Sequence, residues 1–130
     1  MNLLKINRLE NKFVGYFHKY KRLIMPRSHI EVEILIVKLE QSLRDARLWS
    51  CSTPSATALQ STLPFSVDVL SFEQWLQFIF IPKMSELLSS GSTLPENVTL
   101  LPMAEQSLVA TKNRDGVIEV IKQIDLVFSA

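Results

Sequence analysis

Residues 71–82 constrain the fold of this chain more than any other stretch. Ser71 stands three residues before Gln74, the spacing of a capping box in which each side chain satisfies an orphaned amide at a helix start. Leu70 and Trp75 flank the cap at the positions of a hydrophobic staple. Behind it runs Trp75-Leu76-Gln77-Phe78-Ile79-Phe80-Ile81, apolar nearly all round. The last aromatic pairs alone would read as a strand, but the cap and the length of the segment decide for a helix. A helix apolar on every side needs neighbours on several sides, so this one is central. Pro82 removes the amide that would bond the Phe78 carbonyl, which predicts a kink there.

The rest of the chain supplies the neighbours. Ser28 and Glu31 make another capping box, opening a helix that runs to about Trp49 with Ile30, Ile34, Val37, Leu39, Leu43 and Ala46 as its buried stripe. Residues 50–64 are rich in Ser, Thr and Pro and read as an irregular surface loop. Gly91 closes the central helix. A third helix starts at Pro102, a good first-turn residue, and reaches about Thr111. A fourth spans about Arg114 to Phe128, with Val117, Ile118, Ile121, Ile124, Leu126 and Phe128 as its apolar face and Asp125 elsewhere on its surface. Only three glycines occur, which starves a many-stranded β fold of turns. The expectation is all-α: an irregular four-helix bundle with an additional N-terminal basic amphipathic helix. Trp75, Leu76, Ile79 and Met84 are expected to be mostly buried in it.

Charge divides the chain unevenly. Residues 1–24 carry six basic side chains against Glu10, a net +5, whereas the remainder holds eight basic and twelve acidic residues, a net −4. The basic stripe Lys5, Arg8, Lys12, Lys19 and Arg22 adjoins an apolar face of Ile6, Leu9, Phe13, Phe17 and Tyr20 at helical spacing. Opposed charge of this kind marks an appendage distinct from the domain, giving an extension at 1–25 and a helical domain at 26–130. An anionic membrane surface, a nucleic-acid backbone and an acidic protein all suit such a stripe; docking of its apolar face on the domain competes with all three.

Pro64-Phe65-Ser66-Val67-Asp68, then Phe72-Glu73-Gln74-Trp75-Leu76-Gln77-Phe78 and Ile81-Pro82-Lys83-Met84, resemble the YqcC-like family of small bacterial proteins. The likeness runs from about Met25 to Phe128 and takes in Leu101-Pro102-Met103. It implies a four-helix bundle, in agreement with the periodicity. Pro64, Phe65, Asp68, Trp75, Leu76, Pro82 and Met84 carry the motif and are expected to be structural. The first 24 residues depart from the family pattern, which makes Met25 a candidate natural start. Members are often named after, or encoded beside, a C-type tRNA pseudouridine synthase, a hint of association. The synthases themselves use a catalytic Asp on a large mixed α/β scaffold, and nothing makes Asp68 that residue.

Chemistry-bearing patterns are sparse. Phosphate-cradling glycine loops, zinc-protease helices and nucleophile elbows are missing from the sequence. His18 and His29 flank a predicted break, where solvent-facing histidine outweighs a metal site. Cys51 is the single cysteine, so it forms no internal disulfide, and a Cys51–His29 nucleophile pair has nothing to fix it. Paired Glu-x-x-His motifs of a diiron bundle do not occur. Trp75, Phe78 and Phe80 suit base stacking by type, but without interleaved Arg or Lys they are expected in the core. Asp68 is expected to serve a turn or cap, and a cleft gathering Asp68, Glu73 and Arg44 would point to an enzyme.

No catalytic residue, cofactor site or metal site is therefore expected. The expected role is a non-catalytic interaction or accessory protein whose partner is a protein, with a tRNA-modifying enzyme the candidate the family suggests. A second copy of the chain is a further expected partner, since helix 72–81 needs covering neighbours. The alternative is RNA binding through the basic N-terminal helix. A lone cysteine fits a reducing cytoplasm, and no apolar run reaches the ~18–20 residues of a membrane span.

Overall fold

The computed structural model describes residues 29–129, and among these it is all-α. Helix α1 spans His29–Asp45, α2 Ala56–Leu59, α3 Phe72–Trp75, α4 Ile81–Ser89, α5 Leu101–Ser107 and α6 Asp115–Phe128. A π turn at Leu76–Phe80 joins α3 to α4, so residues 72–89 form one composite helix. The expected N-terminal helix and the Ser28 half of the first capping box lie outside the described residues.

Helix α1 offers two apolar rows, and the structure buries the one not expected. Val32, Leu35, Ile36, Leu39, Leu43 and Ala46 face the core, whereas Ile30, Ile34 and Val37 are 68%, 51% and 65% exposed. The buried row follows i, i+3, i+4 spacing from one end of the helix to the other, while the expected row mixed members of both. The helix also ends at Asp45 rather than Trp49. Arg47 turns left-handed at φ 58°, and the Leu48 amide donates to the Leu43 carbonyl at 2.8 Å while that of Arg47 donates to Arg44 at 3.0 Å. This is a Schellman cap with arginine at the position glycine usually takes. Gly91 closes α4 by the same device, with φ 66° and a Ser92 amide donating to Leu87 at 3.0 Å.

The core is continuous across α1, the composite helix, α5 and α6, and includes Leu94 and Leu100 from the connector. Helix α1 packs on α6 and on α4, and α5 packs on α6. Val117, Ile121, Ile124 and Phe128 form the buried row of α6, whereas Leu126 is 62% exposed. The loop expected at 50–64 contains α2, capped by the Ser55 hydroxyl accepting from the Ala58 amide at 3.1 Å. The capping box at Ser71 forms as the sequence demands: the Gln74 amide donates to Ser71 Oγ at 3.3 Å, and the Ser71 amide to Gln74 Oε1 at 3.0 Å.

Candidate functional site

Pro82 has no amide proton, and the helix accommodates this one turn earlier. The Ile81 amide bonds to the Leu76 carbonyl, five residues back, so a π turn stands at the break in regular hydrogen bonding that Pro82 predicts. Residues five apart become neighbours there. Trp75 and Phe80 accordingly stack at 5.5 Å between centroids with 27° between planes, a pairing that straight α geometry places on different faces.

The aromatic cluster grows from the turn before the composite helix. Phe65 and Ser66 sit at φ 56° and 48°, a region that costs most L-residues about 1–2 kcal/mol each. Four backbone bonds hold them: Ser66 to Leu63 at 2.9 Å, Val67 to Pro64 at 3.2 Å, and Val69 and Leu70 to the Ser66 carbonyl at 3.0 and 2.9 Å. The strained turn throws the Phe65 ring edge-on against Trp75 at 4.8 Å and beside Phe72 at 6.1 Å. Strain in a non-glycine residue persists where its surroundings fix it, and such places concentrate at functional surfaces.

Between this cluster and the connector lies an open groove of about 440 Å³. Trp75, Ile79 and Lys83 recur at intervals of four along one side, Asn97, Val98 and Thr99 stand opposite, and Phe80, Met84 and Leu100 are its buried apolar residues. Trp75 and Ile79 are mostly buried, as expected, and each also borders the groove. Phe80 is in the core, and Phe78 is half-buried. A smaller cleft of about 260 Å³ shares Phe65 and includes Glu73, Met103 and Ser107.

The motif residues separate by role. Pro64, Phe65, Trp75 and Met84 line the groove, Leu76 is fully buried, and Pro82 is exposed. Asp68 accepts a hydrogen bond from the Ser61 hydroxyl at 2.6 Å across the turn. Arg44 pairs with Glu40 at 3.4 Å and lies over the Trp49 ring at 4.5 Å, while Glu73 borders the smaller cleft, so Asp68, Glu73 and Arg44 engage different surroundings. The His29 Nε2–H donates to the Ser92 carbonyl at 2.9 Å, and Cys51 is exposed. Among the described residues no three His, Cys, Asp or Glu side chains gather to hold a metal, and no helix is long and apolar enough to cross a membrane. Lys5, Arg8, Lys12, Lys19 and Arg22 lie outside the described residues.

Two polar anchors escaped the sequence reading. Gln77, 7% exposed, accepts from the Ser50 amide and donates to the Ser50 carbonyl, both at 2.8 Å. Asp125 accepts from the Leu100 and Leu101 amides at 2.8 Å each, capping α5 from α6 and fixing the connector that walls the groove.

The family model described as tRNA pseudouridine synthase C (DUF446) matches residues 31–127. This chain belongs to that YqcC-like family. An uncharacterised protein of Haemophilus influenzae is 41% identical over 71 residues, covering 55% of this chain and 67% of the relative. The YqcC protein of Escherichia coli K12 is 28% identical over 103 residues, 78% of this chain and 94% of its own length. A tRNA pseudouridine synthase C of Pectobacterium carotovorum is 37% identical over 67 residues, covering 52% of this chain and 18% of that longer protein. The solution NMR structure of E. coli YqcC matches this fold with a TM-score of 0.68 at 28% identity, covering 78% of this chain and 87% of that one. The matched region contains the composite helix and both walls of the groove.

Proposed function

We propose that residues 26–130 form a non-catalytic binding domain that acts as an accessory to a tRNA pseudouridine synthase in the cytoplasm, presenting the Phe65–Trp75 groove to its partner. The observation that carries this reading is the Pectobacterium relative, in which a stretch similar to this chain makes up 18% of a longer chain that bears the synthase's name. Shared covalent linkage raises the effective concentration of one part for the other, and separate chains that act together need a contact surface in its place. The groove offers such a surface, with aromatic and aliphatic walls of the kind that anchor protein interfaces. Its test is sedimentation of the full chain with the tRNA pseudouridine synthase C of the same cells, before and after nuclease. A stoichiometric complex that survives nuclease is expected. Separate sedimentation of the two proteins at tens of micromolar would remove the reading.

The net +5 of residues 1–24 favours a second reading, RNA binding by that segment. Affinity for tRNA would then fall steeply between 50 and 200 mM salt, as counterion release requires. A complex with tRNA that ignores salt, or none at all, argues against it. A second copy of the chain as a partner would show as a concentration-dependent mass in the same sedimentation runs.

A further inference from the structure

Three properties of the groove specify what fits it. Its walls are mainly apolar, and the Phe65–Trp75–Phe80 rings are held in place by the strained turn and the π turn. Lys83 is the one charged residue lining it, is exposed, and forms no ion pair among the described residues. Opposite, the backbone amides and carbonyls of Asn97, Val98 and Thr99 form no hydrogen bond among the described residues, the neighbouring Leu100 amide being taken by Asp125.

We infer that the groove takes an extended segment of a partner protein in which a large apolar side chain adjoins an aspartate or glutamate. The apolar side chain packs against Trp75 and Ile79. The carboxylate meets Lys83, two helical turns or about 12 Å along the same face from Trp75. The segment's own amides and carbonyls pair with Val98 and Thr99, as when an extended peptide adds to an unpaired backbone edge. That third contact decides for a peptide over a fatty acid, which shares the carboxylate and the apolar body but has no groups to satisfy the backbone. The inference rests on the accessory reading above, which supplies the synthase as the source of the segment.

The test uses the full chain labelled with 5-fluorotryptophan, whose two fluorine resonances are assigned with a Trp49→Phe variant. Unlabelled tRNA pseudouridine synthase C is titrated in, and affinity is measured in parallel by calorimetry. The Trp75 resonance is expected to shift while that of Trp49 stays. Lys83→Glu is expected to leave the thermal midpoint unchanged, because the side chain is exposed, and to weaken binding at least tenfold, and Lys83→Arg to retain it. Binding that leaves Trp75 unmoved, or that Lys83→Glu does not weaken, overturns the groove assignment and leaves standing only that the domain is an accessory to the synthase, bound through another surface. Absence of binding by both methods overturns the two together. A Trp75 shift produced by sodium oleate and not by the synthase assigns the groove to a lipid and overturns the proposal.

Discussion

Gln77 is a buried polar side chain in the most apolar stretch of the chain, and both ends of its amide are used. Truncation to alanine strands the amide and the carbonyl of Ser50, and an unsatisfied buried group costs about 1–3 kcal/mol. Gln77→Ala should therefore lower the unfolding free energy measured in urea by about that amount, whereas a surface glutamine such as Gln41 should tolerate alanine within about 0.5 kcal/mol. Equal effects at the two positions would mean that the Ser50 clamp contributes nothing. Arg47 predicts the opposite sign. Its side chain is exposed and its φ is 58°, so glycine there relieves a conformation that disfavours a Cβ. Thermal unfolding of Arg47→Gly should show a gain of about 0.5–1 kcal/mol. Neither role was legible in the sequence. The partner of Gln77 lies 27 residues away, and a Schellman cap is easily read only when glycine marks it, as at Gly91. The Ser71–Gln74 box was legible because both partners sit within one turn.

At the scale of elements, two neighbouring apolar rows competed for the core on α1. The structure resolves the competition through continuity: Val32 to Ala46 lines the whole helix against α6 and α4. Leu39, fully buried, should cost about 2–5 kcal/mol on truncation to alanine, and Ile34→Ala or Val37→Ala less than about 0.5 kcal/mol. Chemical denaturation of the three variants separates the rows, and a large loss at Ile34 would restore the row expected from sequence. Helix existence and order were legible from caps and periodicity. Which face turned inward was not, since a helix with apolar residues on two rows carries no mark of where its neighbours stand. The π turn was half legible: Pro82 announced a break in regular hydrogen bonding, but local pattern could not say that it would be spread over Leu76–Phe80 and bring Trp75 onto Phe80. Trp75 and Ile79 are mostly buried, as their pattern demands, but nothing in that pattern shows that each also borders a groove. An apolar side chain that lines a groove has the same sequence signature as one that fills an interior.

Across the whole molecule, one continuous core draws on α1, the composite helix, α5, α6 and the connector, so no part of the groove is built independently of it. Phe80, Met84 and Leu100 belong to the core and line the groove at once. A domain of this size with one core unfolds as a unit, and its two tryptophans report from different elements of that unit: Trp49 follows α1, and Trp75 stands in the groove. Trp49→Phe and Trp75→Phe variants, each followed by the remaining indole and by helical circular dichroism, should therefore melt with coincident midpoints. The same coupling determines how a partner acts. A ligand that binds only the folded groove at a hundredfold excess over its Kd stabilises the whole domain by about 2.7 kcal/mol, which for a domain near this length raises the melting temperature by roughly 8–14 °C. Saturating synthase should move the melting curve of the labelled domain at Trp49 as far as at Trp75, although Trp49 does not line the groove. Stabilisation confined to the Trp75 signal would show instead that the groove orders locally on binding, with the core beneath it unaffected.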